Sequence, residues 1–389
     1  MTGSSSRFNS IAVAILLSLI VPSGRLAAFT PQQGPTLLYQ DSVILQETAE
    51  HFIGAPVGML LGPNESFLVP DMFANQVLHF DAAGRLIRVI GRQGQGPGEF
   101  ARVVDVGFAN DSVFAVLDVF GLDLEVFDWR TGQHIGAIKV EPRERLTVLS
   151  LVGDSVWFGG MNGEGWKAVG VMGLGELLAR ARRGAESAAM PLLDRVDVPG
   201  IYVMNPRMFG SLGRAVLDVG PSDFLVGFAG SSFLMRFSSG VAVDTLWLAH
   251  RARRGPPTTD FSSSQTPMGL DFVSEISVMA LLSRDDNGNV ITVHQQAEMD
   301  GRQLSNVKLY VATASADGSR QCLDTLIPTS GIGTPRVRLS GSRLFVLDQR
   351  IRASSGTDPQ RNVTTVVRRF TVDPLSCTGQ VVFESGSGR

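Results

Sequence analysis

Short runs in which about half the positions are apolar recur along this chain, each bounded by glycine, proline, asparagine or aspartate. The clearest set predicts four strands, Pro56–Gly62, Ser66–Asp71, Gln76–Asp81 and Leu86–Gly91. They are separated by the turn-forming sequences Gly62-Pro63-Asn64 and Ala82-Ala83-Gly84. The unit repeats. Phe67-Leu68-Val69-Pro70-Asp71 is answered 47 residues later by Phe114-Ala115-Val116-Leu117-Asp118, and Phe80-Asp81 by Phe127-Asp128 at the same offset. Phe224 and Phe237 keep the 13-residue spacing of Phe67 and Phe80, and similar apolar centres recur at Trp157, Ile291 and Phe345.

The steps between these centres are 47, 43, 67, 67 and 54 residues, which suits four-stranded units carrying insertions. One such sheet cannot bury both faces alone, whereas sheets packed radially around an axis can. The pattern therefore predicts an all-β fold, a six-bladed β-propeller of four-stranded antiparallel blades. A seventh blade fits only if one 67-residue step hides a degenerate unit, and a two-domain sandwich leaves the held offset unexplained. Leu174 to Arg183, apolar at 174, 177, 178 and 181, predicts a short amphipathic helix inserted in blade three and packed against the propeller. Leu37 to Leu45 is placed to add a strand to the last blade and so join the two ends of the chain.

The sequence Val89-Ile90-Gly91-Arg92-Gln93-Gly94-Gln95-Gly96-Pro97-Gly98-Glu99-Phe100, preceded by Phe80-Asp81-Ala82-Ala83-Gly84, resembles the repeat of six-bladed propellers related to NHL-repeat proteins. Match strength is greatest over Phe67 to Gly132. That broad group includes exported bacterial proteins, lyases, lactonases and binding modules, so the resemblance implies a fold and leaves the activity open. The glycine run does not read as a phosphate loop, because Pro97, Gly98 and a further β pattern follow it where a helix N-terminus is needed. Its glycines suit the tight passage from one blade's outer strand to the next blade's inner strand.

Composition adds a compartment. Arg7, the apolar run Ile11 to Val21 and the small residues Gly24, Ala27 and Ala28 read as a secretory signal peptide over residues 1–28, leaving 29–389 as a single propeller domain. The run is too short for a stable membrane span, an uncleaved anchor being the weaker reading, and no later segment approaches the necessary length. A secreted or periplasmic protein is expected. Export permits a disulfide between Cys322 and Cys377, although outer positions on neighbouring blades are not always close enough to bridge. A net charge of −3 argues against nucleic acid as a partner.

Strand order sorts the loops by face. If each inner strand runs from the upper face downward, then 199–213, 251–271, 295–306 and 349–362 all lie above. These stretches carry Arg251, Arg253, Arg254, Arg302, Arg350, Arg352 and Arg361. Arginine offers a planar fork for carboxylate, sulfate or phosphate, so this face is a candidate for binding an anionic peptide, glycan or protein, with no cofactor. Acidic residues in the same loops, among them Asp260, Asp271, Glu298 and Asp300, allow the plainer reading of a balanced, solvated surface.

The second reading is an enzyme, a lactonase or lyase dependent on a divalent cation. Asp105-Val106-Gly107 and Asp218-Val219-Gly220 are expected at matching places on inner strands, from which Asp105 and Asp218 would share a cation in the central channel. As structural residues the two carboxylates would simply be hydrogen-bonded. The histidines His51, His79, His134, His250 and His294 show no ligand spacing, no G-x-S-x-G elbow occurs, and Asp285-Asp286-Asn287-Gly288-Asn289 reads as a β-turn. Asp71, Asp118 and Asp348 end second strands and are expected to cap the turns that follow.

Overall fold

In the computed structural model, residues 33–48, 50–118, 122–163, 165–184, 189–200, 215–249, 277–300, 303–330, 333–351 and 363–383 are described. The predicted signal peptide lies outside them. The first strand, β1 (Thr36–Ile44), is best understood after the blades it completes.

Blade one is β2 (Leu60–Leu61), β3 (Phe67–Asp71), β4 (Gln76–Phe80) and β5 (Leu86–Ile90), and blade two is β6 (Val103–Ala109), β7 (Val113–Asp118), β8 (Asp123–Asp128) and β9 (His134–Lys139). Blade three is β10 (Glu144–Val152), β11 (Ser155–Asn162), β12 (Lys167–Gly173) and β13 (Arg195–Asp197), with helix α1 (Leu174–Arg183) between its last two strands. Blade four is β14 (Ala215–Val219), β15 (Asp223–Phe228), β16 (Phe233–Ser238) and β17 (Val241–Trp247), and blade five is β18 (Val278–Arg284), β19 (Val290–Asp300), β20 (Gln303–Ala314) and β21 (Gln321–Leu326). Blade six contains β22 (Arg336–Ser340), β23 (Arg343–Ile351) and β24 (Val363–Asp373), followed by β1 and then β25 (Val381–Phe383). The protein is a six-bladed β-propeller.

The 13-residue spacing has a direct cause: Phe67 pairs with Phe80, Phe114 with Phe127 and Phe224 with Phe237 across adjacent antiparallel strands. The rings of the last two pairs stack, with centroids 5.1 and 4.9 Å apart. Second strands are buried on both faces, and their alternate residues enter different cores. On β3, Phe67 and Val69 pack with Phe345 and Leu347 of blade six, while Leu68 packs with Phe114 and Val116 of blade two. On β23, Leu344 and Val346 face Ile291 and Val293 of blade five. The core is thus a set of apolar wedges between neighbouring blades, including the wedge where the last blade meets the first.

β1 supplies the fourth strand of blade six, running antiparallel to β24 from Thr36 opposite Asp373 to Ile44 opposite Val366. β25 then adds to its outer edge in parallel, with Leu37 opposite Val381. The predicted closing strand is present, and the fifth strand is an addition to the expected blade. Cys322 on β21 and Cys377, just before β25, form a disulfide with Cα atoms 5.1 Å apart, tying blade five to the closing segment.

Other departures from expectation have local causes. The inner strand of blade one shrinks to Leu60–Leu61 plus an isolated bridge from Pro56 to Asp71, because Pro70 on β3 has no N–H to give to a ladder. Within the expected loop 295–306, residues 295–300 and 303–306 belong to the strands β19 and β20, with Glu298 paired to Ser305. Helix α1 has the predicted bounds, and its Leu177 and Ala181 are fully buried against blade two. Gly136 on β9 makes this possible, since a Cβ there would lie 2.0 Å from the Ala181 carbonyl oxygen.

Of the three aspartates expected to end second strands and cap turns, Asp71 does so, whereas Asp348 lies within β23 opposite Val366, and all three have a further role. Asp71 Oδ1 accepts the N–H of Phe73 in the following turn, but also that of Ala55 at 2.7 Å. Asp118 accepts from Ala101 and Arg102, and Asp348 from Ser330 N–H at 2.7 Å. Each carboxylate holds the segment leading into its own blade's inner strand. The position recurs because each second strand ends at the upper face beside that segment.

Loss of the disulfide through the double change Cys322→Ser and Cys377→Ser is expected to cost about 2–4 kcal/mol by freeing the unfolded chain. Urea unfolding of the variant and of the oxidised protein measures the difference.

Candidate functional site: the central channel

Inner strands β6, β10, β14, β18 and β22, with residues 56–61 of blade one, surround the axis. Such strands are ordinarily apolar, yet this channel carries two separate charged groups. At the lower end Asp218, near the end of β14, accepts from Arg284 Nε at 2.5 Å. Asp223, at the start of β15, accepts from Arg284 Nη1 at 2.7 Å. Burial opposes charge on Arg284, but the two carboxylates offset it and raise its pKa. Burial also raises the pKa of Asp218, against the pull of Arg284.

In the upper part Asp105 on β6 stands near Arg336 and Arg338 of β22. Burial pushes its pKa up to about 6, outweighing the attraction of Arg338, the N–H of Val106 and Arg336. The Val106 N–H reaches Asp105 Oδ1 at 2.8 Å. Gly58 makes room for this carboxylate, since a Cβ there would sit 2.3 Å from Asp105 Oδ1. Arg336 Nε donates to the Pro56 carbonyl at 2.8 Å, joining blade six to blade one. Burial lowers the pKa of both Arg336 and Arg338, with Asp105 acting in the opposite sense.

The shared-cation arrangement expected of Asp105 and Asp218 is not what the ladders give. Asp105 lies opposite Leu117, three residues past Phe114, whereas Asp218 lies opposite Leu225, one residue past the equivalent Phe224. Asp105 precedes Phe114 by nine residues whereas Asp218 precedes Phe224 by six, so the identical Asp-Val-Gly triplets sit at different depths, and the bulge between Val106 and Phe108 takes back only one residue of that difference. Each carboxylate also faces arginine. Among the described residues, no group of three or more His, Cys, Asp or Glu is arranged to hold a metal ion.

Arg350 is exposed at the upper end of β23. Arg251, Arg253, Arg254, Arg302, Arg352 and Arg361 lie outside the described residues. His79 packs against Trp129 with tilted rings, centroids 4.5 Å apart, and burial, then Arg88, lowers its pKa to about 4. His134 contacts Glu125 at 2.5 Å in blade two. Neither histidine belongs to the channel. Asp285 closes a β-turn as expected, its backbone oxygen accepting from Gly288 N–H.

Two features were not picked out by reading loops. Arg336-Val337-Arg338 places two guanidinium groups on one side of an inner strand, a signal present in the alternation itself. Phe52 and Phe73 form an exposed aromatic pair on the upper face, 44% and 69% accessible with ring centroids 6.2 Å apart. Phe73 follows Asp71 by two residues in a turn, a place where a large apolar side chain is unusual.

This geometry defines the chain as a six-bladed propeller with a charged channel, and the comparisons agree on the fold. Residues 38–155 match the family model described as DUF5128, 6-bladed beta-propeller. A DUF4221 family member from Bacteroides vulgatus ATCC 8482 is similar in structure, with a TM-score of 0.57 at 12% identity over 88% of this chain and 99% of that one. A protein from Bacteroides fragilis NCTC 9343 named as exported has a TM-score of 0.54 at 9% identity over 86% of this chain and 95% of that one. No curated protein matches the sequence significantly. At these identities the structural likeness concerns the fold.

The raised pKa of Asp105 has a signed consequence. Between the unfolded value near 3.8 and the folded value of about 6, the folded chain holds more protons than the unfolded one, so this group makes stability fall as pH rises through that window. Denaturant unfolding from pH 4 to 7.5 is therefore expected to show a flatter pH dependence in Asp105→Asn, with a gain in relative stability on the alkaline side.

Proposed function

We propose that this chain is an exported binding module that engages an anionic peptide, glycan or protein through its upper face. The observation that carries this reading is the solvent-exposed Phe52–Phe73 pair on a face that also presents Arg350. Gln349, next to Arg350, donates to the Ile53 carbonyl at 3.0 Å, so the aromatic pair and the arginine belong to one neighbourhood spanning blades one and six. Aromatic and arginine side chains together are the usual composition of energetic centres in protein interfaces. Arginines predicted in the other upper loops would extend the same electrostatic character.

Export is supported by the leader sequence, by the likeness to a protein named as exported, and by a disulfide of the kind that persists in oxidising compartments. A secreted or periplasmic location follows from that reading. Catalysis by a cation between Asp105 and Asp218 receives no support from carboxylates at separate depths that already face arginines.

A polyglutamate peptide serves as the anionic probe. Its binding is expected to weaken at least tenfold between about 0.1 M and about 1 M salt, as the Debye length falls from about 10 to about 3 Å. Phe73→Ala and Arg350→Ala are each expected to lower affinity about threefold or more while leaving the unfolding midpoint unchanged, since both side chains are exposed. Affinity indifferent to salt and to both substitutions contradicts the reading.

A further inference from the structure

The two charged groups in the channel differ in how completely they are satisfied. At the lower end Arg284 has two carboxylates, Asp218 and Asp223, each at hydrogen-bonding distance. Arg338, at the middle of β22, has no hydrogen-bond or ion-pair partner among the described residues; Asp105 acts on it through space. Arg336 donates Nε to the Pro56 carbonyl. A guanidinium carries five donors and cannot shed its charge, so the half-buried Arg338, without protein acceptors, takes them from water or from a ligand.

A cavity of about 120 Å³ lies against Arg338, lined also by Ser150, Asp218 and Ser283 from three other blades. That is roughly the liquid volume of four water molecules, each taking about 30 Å³. It suits a group of a few heavy atoms. Charge sets the sign of the occupant. The charged side chains of the lining are Arg338 and Asp218; Asp218 is engaged by Arg284, which leaves Arg338 as the charged lining group without a hydrogen-bonded partner among the described residues.

We propose that the central channel is a binding site for a small oxyanion, a phosphate, sulfate or short carboxylate, held bidentately by Arg338 with hydroxyl donors from Ser150 and Ser283. The site is separate from the upper-face aromatic pair and stands whether or not that face takes a macromolecular partner. Its ligand is the same chemical class in each case: two or more oxygens in a plane that matches the guanidinium fork. Two carboxylates oppose the anion: Asp218, which lines the cavity but is engaged by Arg284, and Asp105, which acts on Arg338 through space.

Isothermal titration of the full chain at pH 7.5 with sodium sulfate, sodium phosphate and sodium acetate, against sodium chloride at equal ionic strength, tests the site and separates its sources. Saturable binding of at least one oxyanion at one per chain is expected. Arg338→Gln should lower that affinity at least tenfold, Arg338→Lys should fall between the two because it keeps a charge without the fork, and Arg350→Gln should leave it unchanged. Asp105→Asn, which removes the opposing charge, should tighten binding severalfold. The proposal is overturned if no oxyanion saturates the wild-type chain, if Arg338→Gln binds as tightly as wild type, or if Asp105→Asn weakens binding. Should Arg338→Gln fail to fold, the wild-type titration and Asp105→Asn still decide.

Discussion

A blade of this protein has no face it can leave to water. Phe67, Val69 and Leu68 on one strand enter cores on opposite sides, as do Leu344, Val346, Phe345 and Leu347 at the other end of the chain. Apolar burial at about 25 cal/mol per Å² holds such sheets only while both neighbours are present. The ring must therefore close, and the junction between the first and last blades is where the linear chain offers no covalent continuity. β1 resolves this by pairing with β24, so the beginning of the described chain is built into its last sheet. Ion pairs reinforce the same junction, with Glu65 of blade one accepting from Arg343 at 2.8 Å and from Arg369 at 3.3 Å.

Closure is also what makes a site of the channel. Arg336 and Arg338 belong to the last blade and Asp105 to the second, and they meet only because blade six is held against blade one. Arg336 takes part in that junction directly through the Pro56 carbonyl. Gly58 lets the Asp105 carboxylate approach, and the bulged register of β6 sets its height. Charge in the channel is thus divided by depth. The lower guanidinium has two carboxylates and reads as a structural link between blades four and five, while the upper pair has a surplus of donors.

Much of the architecture was legible because propeller packing imposes repetition. The 13-residue interval from Phe67 to Phe80 is a cross-strand pair, which any unit of this size and turn length reproduces. Helix α1 could be bounded from Leu174, Leu177, Leu178 and Ala181, and Gly91 with a φ of 72° marks the tight departure from blade one. Less legible were features set by three-dimensional register. The triplets at Asp105 and Asp218 look equivalent until their spacing to Phe114 and Phe224 is counted, nine residues against six, and the bulge between Val106 and Phe108 takes back only one residue of that difference. Pro70 interrupts a ladder on its neighbour, not on its own strand. Arg336 and Arg338 escape a reading that assigns charge to loops and apolar residues to inner strands, and the arginine-bearing upper loops other than Arg350 lie outside the described residues.

Ring closure depends most on β1 being an integral strand of the last blade. Amide hydrogen exchange followed by mass spectrometry tests this by comparing peptides from residues 36–44 with peptides from β24 and from the central strands of blades two and four. If closure holds the ring, the β1 amides are protected to the same degree as those of β24 and exchange with the global unfolding of the propeller. Rapid exchange of β1 while β24 and the other blades remain protected would contradict it, since the ring would then stand without its closing strand.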